Sequence, residues 1–328
     1  MSKVRVFEAF AGFGGASFAL KKARIAHEVV MYSEWDKWAQ ELFIANHGDI
    51  PLYGVNGDIN KGVISSIPQF DIFTGGFRCQ PFSSAGKGKG ELDPRGTLFH
   101  PILQIIEKHR PKHILLENVK GMTHKKHKPT LDKILTSLTE LGYSCPDPVL
   151  LNSKNYGVPQ NRERLWIYAY HGALPSDFSH APKEVITRPS FHEFLDDKYG
   201  IPIEKHMYLS DQQIDVLLNK HNMPIAEILS ESESLCLDIY NKKLKKDKVS
   251  ITLTEPHHNS LRVVELNKSI KRGYTVRKLT VTEHYRLMGF EEGQLVSAKQ
   301  SYQQLCKRAG NGWDINVASK ILQKVLAR

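Results

Sequence analysis

The chain lacks most of the features that mark secreted, membrane and zinc-stapled proteins. Its four cysteines, Cys79, Cys145, Cys236 and Cys306, lie far apart and form no Cys-x-x-Cys pair, which argues against zinc ribbons and a disulfide framework. No apolar run approaches the roughly 20 residues needed to span a bilayer. Glu8 interrupts the apolar start after Lys3 and Arg5, so no secretory signal is expected. The G-x-G-x-x-G spacing of dinucleotide enzymes is also missing. These absences favour a cytoplasmic protein in a reducing compartment, with no metal site and no membrane partner.

What is present fits a large globular chain. The 328 residues are 41% hydrophobic and 24% charged, enough for one big domain or two ordinary ones. The formal net charge of +10 is unevenly spread. Between Asn241 and Lys278, eight Lys and three Arg face three acids, a local net of +8. So concentrated a basic stretch points to a polyanion, most simply nucleic acid, although alone it reads equally well as a solvated face.

In the first half, Val4–Phe7, Val29–Tyr32, Asp71–Thr74 and His113–Leu116 read as buried parallel strands, and Leu165–Tyr170 as a further strand. Between them Lys37–Asn46, Leu98–His109 and Thr130–Leu141 have helical spacing. Alternation of this kind predicts a doubly wound α/β sheet with ligands at the strands' carboxyl ends. After Tyr170 prolines and an acidic Ser-Glu run break the rhythm, which suggests a smaller, irregular second domain. From Ala309 to Ala327 a helical pattern returns, with Ile315, Ala318, Leu322 and Val325 on one face. The expected division is 1–174 completed by 302–328, then 175–270, with 271–301 as a hinge.

Two clusters carry chemistry. After the first strand comes Phe10-Ala11-Gly12-Phe13-Gly14-Gly15, a turn that lets backbone approach a ligand at a helix amino terminus. Glu34 follows Gly12 by 22 residues and suits ribose hydroxyls; Trp35 offers a flat face to adenine, and Asp58, expected at the third strand's end, its amino group. A ligand-free turn or a dinucleotide site is the competing reading, but Glu34 and Trp35 favour an adenosine-containing cofactor. The second cluster begins with Gly76-Phe77-Arg78-Cys79-Gln80-Pro81-Phe82-Ser83, past a strand's end. A lone cysteine is usually inert. Here Glu117-Asn118-Val119 ends the next strand and Gln160-Asn161-Arg162-Glu163-Arg164 precedes another, so Cys, Glu and two Arg form a coherent set.

Taken in order, these blocks resemble the bacterial and phage cytosine-5 DNA methyltransferases of restriction-modification type. The matching segments are Phe7–Gly15, Glu34-Trp35-Asp36, Gly57-Asp58-Ile59, Gly76–Ser83, Arg95-Gly96-Thr97, Glu117-Asn118-Val119, Gln160–Arg164, Arg277–Phe290 and Gly310–Val317, spanning nearly the full length. Thr252-Leu253 is similar to the short signature of that family's target-recognition domain. The resemblance implies a Rossmann-like S-adenosylmethionine-dependent domain, double-stranded DNA as partner, and a monomer, with any cognate restriction endonuclease acting separately. It implies Cys79 as nucleophile, Glu117 at N3 of the cytosine, and Arg164 at O2 with Arg162 nearby. Gln80, Ser83, Thr252, Lys242 and Lys243 would touch DNA. Phe10, Gly12, Gly14, Glu34, Trp35, Asp58, Ile59 and Asn311 would hold the cofactor.

Such residues suit the reaction. C5 of cytosine is a poor nucleophile until a thiolate adds to C6, and C6 is reachable only when the base leaves the stack. Two positions depart from the family pattern: Arg78 replaces the usual proline before the cysteine, and the usual Gly-Asn-Ser reads Gly310-Asn311-Gly312, followed by Trp313. The rival readings are a noncatalytic DNA-binding relative and an RNA cytosine-5 methyltransferase, with a nicotinamide dehydrogenase behind both.

Overall fold

Alternate residues of the first four strands are apolar on both sides, because helices cover both faces of the sheet they build. In the computed structural model, which describes residues 3–77, 98–221, 228–256 and 260–327, these strands are β1 (Val4–Ala9), β2 (His27–Ser33), β3 (Ile72–Gly76) and β4 (His113–Val119). All are mutually parallel. β5 (Tyr143–Ser144) and β6 (Val149–Asn152) are short, and β7 (Glu163–His171) runs antiparallel to β4. The sheet order is β2-β1-β3-β4-β7-β5, with β6 pairing β7 off this path. Every expected strand of the first half is present, though Asp71 falls outside β3. Its carboxylate instead accepts from the Arg5 N–H (2.9 Å) and Nη2 (2.9 Å).

Val6, Ile72 and Leu115 join one core; their neighbours Phe7, Phe73 and Ile114 join another. The first core includes α1 (Gly15–Lys22) and the chain's last helix; the second takes Ile102, Ile105 and Ile106 of α3 (Phe99–His109) and Ile134 and Leu138 of α4 (Lys128–Glu140). α2 (Lys37–His47) starts at Asp36, whose carboxylate accepts from the N–H groups of Trp38 and Ala39.

The second part contains more order than its prolines suggest. α5 (Asp211–His221) packs on a four-stranded antiparallel sheet of β8 (Leu235–Asp238), β9 (Lys243–Leu244), β10 (Leu261–Leu266) and β11 (Tyr274–Arg277), in the order β11-β10-β8-β9. One face of this sheet (Leu237, Val264, Tyr274, Val276) meets α5; Cys236, Leu261 and Val263 on the other side enter the first core with Leu253. β11 lies inside the expected 271–301 hinge, so that segment supplies a strand to the second sheet.

A buried ionic knot ties β11 to α6 (Val281–Arg286). Arg277 donates to both Glu283 oxygens (2.7 and 2.7 Å) and to Glu265, while Glu283 also accepts from the Asp196 N–H (2.8 Å). The expected single helical pattern from Ala309 to Ala327 is two helices, α7 (Tyr302–Asn311) and α8 (Ile315–Leu326). The break has a local cause: Asp314 caps α8 by accepting from the Val317 N–H at 2.9 Å. Ile315, Ala318, Leu322 and Val325 are buried, as their spacing requires, and α8 packs along α1. No helix of the described residues is long and apolar enough to cross a membrane.

Candidate active site

The cofactor candidates gather at the carboxyl ends of β1 and β2. Gly12 has φ +58, and a Cβ built there would meet nothing within 4 Å, so the turn opens onto free space. Phe10 also adopts a left-handed φ of 52, and Gly14 precedes α1 as its amino cap. Glu34 follows β2; its carboxylate accepts from the N–H groups of Gly12 and Asp36, both at 2.9 Å. Burial raises its pKa, opposed by those two backbone donors and by Arg308. Trp35 beside it is 81% exposed, an uncovered aromatic face.

Asp58 does not end the third strand as expected. It precedes β3 and caps a short 3-10 turn, Ile59–Lys61, accepting from the Asn60 N–H at 3.1 Å. The local Asp-x-Asn turn chemistry prevails over continuation into a strand. The turn still lies beside Glu34, because Gln40 donates to the carbonyls of both Glu34 and Asn56. Ile59 is buried beneath it. Asn311 is exposed at the end of α7 and donates to Glu255 Oε1 at 2.8 Å.

Of the catalytic candidates, Glu117, Arg162 and Arg164 gather at the next strand ends. Glu117 pairs in register with Gly76 of β3 and Trp166 of β7. Arg164 Nε donates to Glu117 Oε1 at 2.9 Å. Burial raises the Glu117 pKa, with the Arg164 and then the Arg162 charge opposing it. The carboxyl can therefore hold a proton at a higher pH than an ordinary glutamate.

Arg162 differs sharply from Arg164. It is fully buried and donates to the carbonyls of Leu253 (3.3 Å), Gly310 (3.2 Å) and Gly312 (2.7 Å). Burial, then the neighbouring Arg164 charge, lowers its pKa to about 9, so it stays cationic at neutral pH. Both of its terminal nitrogens donate to the backbone of the second part and of the tail, which makes it a positioning residue.

Three further positioning residues escaped assignment from sequence. Gln160 donates to the Leu287 carbonyl (2.7 Å) and accepts from the Leu253 N–H (3.0 Å). Asn118 donates to the Phe77 carbonyl at 3.0 Å and so fixes the end of β3 from which the Cys79 segment departs. Trp313 packs edge-on against Trp166, and a Cβ at Gly76 would lie 2.7 Å from its Nε1 and 3.2 Å from Glu117 Oε2. The available signal was membership in the motif blocks, which gives no direction of bonding.

Cys79, Gln80 and Ser83 lie outside the described residues, as does Arg78. Of the other cysteines, Cys236 and Cys306 are buried, and burial pushes both thiols up to about 12; burial raises half-buried Cys145 as well. Thr252 donates to the Asn161 carbonyl at 2.5 Å, and Lys242 and Lys243 stand exposed on the β8–β9 turn.

Comparison with known proteins bears on the whole assembly. A family model described as C-5 cytosine-specific DNA methylase matches residues 4–327. The chain is 33% identical over 323 residues to the type II methyltransferase M.HaeII of Haemophilus aegyptius, covering 98% of this chain and 92% of that one. To M.HpaII of Haemophilus parainfluenzae it is 39% identical over 220 residues, 67% of this chain and 59% of that enzyme's length. Among solved structures, a DNMT2 mutant of Spodoptera frugiperda superposes with a TM-score of 0.76 at 19% identity, covering 99% of this chain and 100% of that one, a likeness of fold.

Proposed function

We propose how this chain, which belongs to the C-5 cytosine-specific DNA methylase family and is a DNA cytosine-5 methyltransferase, carries out its reaction. A cytosine is flipped from duplex DNA into the space beside Glu117 and Arg164, at a specific short sequence. The Cys79 thiolate adds to C6, breaking the C5=C6 bond and moving its electrons to C5 through the ring. Glu117, protonated, hydrogen-bonds N3 and offsets the charge that builds there, while Arg164 meets O2. Once C5 is methylated, its proton leaves to a base, the C5=C6 bond re-forms and Cys79 departs as thiolate. S-adenosylmethionine, when bound, supplies an electrophilic methyl group.

The residues present fit that cofactor. Open space at Gly12, the exposed face of Trp35 and the buried carboxylate of Glu34 between them form a cradle for an adenosine. Phe10, Gly14, Asp58 and Ile59 would complete it, with Asn311 toward the methionine end. The observation that carries the reading is the Glu117–Arg164 pair, a carboxyl with raised pKa held by a cation at neighbouring strand ends.

We further place residues 1–174 with 302–328 as the catalytic part and 175–270 as the recognition part. The latter contributes Thr252 and the Lys242–Lys243 turn to DNA, and Gln80 and Ser83 join them from the Cys79 segment. The enzyme acts as a monomer in the cytoplasm, separately from any cognate endonuclease. Transfer of tritiated methyl groups to duplex DNA, with bisulfite sequencing of the product, tests the reading. Methylated cytosine in one short context is expected; label only in RNA, or in no nucleic acid, would overturn it.

A further inference from the structure

A cleft of about 500 Å³ separates the β8–β9 turn from the segment held by Gln160 and Arg162. Asn161 and Thr252 line it together with Tyr240, Asn241 and Lys243. Asn161 is the residue before Arg162, so the cleft opens beside the catalytic arginine block.

The β8–β9 turn is built to stay still. Asp238, only 4% exposed, accepts from the Asn241 N–H (3.2 Å), from Asn241 Nδ2 (2.7 Å) and from Ser260 Oγ (3.3 Å). Three donors thus converge on one buried carboxylate, and Lys242 at the bend adopts a left-handed φ of 56. What this anchorage holds up is open. Tyr240 is 82% exposed, and among the described residues its hydroxyl has no hydrogen-bond partner. Asn241 spends its Nδ2 on Asp238 and keeps Oδ1 as an acceptor. Lys242 and Lys243 form no ion pair among the described residues.

A rigid turn carrying an uncovered tyrosine presents large contact area at little entropic cost, which is how recognition surfaces are built. Phosphates are met by cations, whereas amide and phenol groups suit the donor and acceptor pattern of base edges. We propose that the Tyr240–Lys243 turn reads the sequence beside the target cytosine. Tyr240 and Asn241 contact base edges, and Lys242 and Lys243 hold adjacent phosphates. This rests on the reading above that the substrate is cytosine in duplex DNA.

The test compares full-length wild type with Tyr240→Ala, Asn241→Ser and the double variant Lys242→Ala/Lys243→Ala. Each methylates a duplex library randomised around cytosine, read by bisulfite sequencing, with thermal melting in parallel. Tyr240→Ala and Asn241→Ser are expected to lower, about tenfold, the ratio of methylation at preferred sites to that at sites one base pair different, the effect of losing one base contact. Melting should stay that of wild type. The lysine variant should weaken methylation of all sequences alike and flatten its salt dependence. An unchanged ratio in both Tyr240→Ala and Asn241→Ser would overturn this assignment while leaving the methyltransferase reading intact. A wild type that methylates no library member would overturn both.

Discussion

The junction between the two parts of the molecule and its open rim use similar side chains for opposite purposes. At the junction Gln160, Arg162, Arg277 and Glu283 are buried and bound to other protein groups. At the rim Trp35, Tyr240, Lys242 and Lys243 face solvent. Arg162 and Arg164 stand two residues apart on either side of that divide: one holds three backbone carbonyls, the other holds Glu117. One short motif thus holds both an arginine bound to distant backbone and an arginine bound to a carboxylate at the strand ends. Buried polar groups fix where the second part sits relative to the strand ends, and the proposed ligand contacts fall on the open groups.

The largest effect is expected where the site does its chemistry. Burial raises the Glu117 pKa, so its proton persists above the ordinary glutamate range and is lost as pH rises through the raised value. A rate that needs the protonated carboxyl is therefore full below that pKa and declines above it. Glu117→Gln should slow methylation by about 10²–10⁴-fold and abolish that alkaline decline. A variant that keeps the same pH profile would contradict the role.

The junction should answer in stability. Glu283→Gln leaves Arg277 buried with Glu265 as its remaining carboxylate partner, and should cost about 3–5 kcal/mol in urea unfolding. A loss below about 1 kcal/mol, the scale of exposed pairs, would show that the knot is not a keystone.

The two motif arginines should respond differently to substitution. Arg162→Lys cannot span three carbonyls and should lower stability by about 1–3 kcal/mol. Arg164→Lys should leave stability near wild type and lower turnover. If both variants melt alike, the division of labour fails.

The smallest effect belongs to the rim. Trp35→Ala should weaken S-adenosylmethionine binding by about 0.5–1.5 kcal/mol, the scale of losing an aromatic stacking face. Its KM should rise more than kcat falls, because the contact is made equally in ground and transition states. Calorimetry with unchanged affinity would remove Trp35 from the cradle.

Much of the first half was legible because strands buried on both faces leave continuous apolar runs, and their ends mark the candidate site. The positions of Glu34 and Glu117 at strand ends were legible in this way, and that of Gly12 from the turn that follows β1. Asp58 was misplaced because its short-range turn chemistry leaves no trace in hydrophobic periodicity. The break at Gly312–Asp314 was missed because the apolar pattern of Ile315, Ala318 and Leu322 does not register a new amino cap at Asp314. The second sheet was hidden because its strands are short and one face feeds a core supplied by the first half. Which arginine bonds backbone and which meets the carboxylate depends on tertiary partners that are distant in the chain, such as Leu253 and Gly312.

The most direct test of the account is duplex DNA carrying 5-fluorocytosine at the methylated position, incubated with enzyme and S-adenosylmethionine. Fluorine cannot leave C5 as a proton does, so the enzyme should remain covalently joined to DNA. Peptide mapping should place that bond on Cys79, and Cys79→Ala should form none. An adduct mapped to another residue, or methylation by Cys79→Ala at the wild-type rate, would contradict the mechanism.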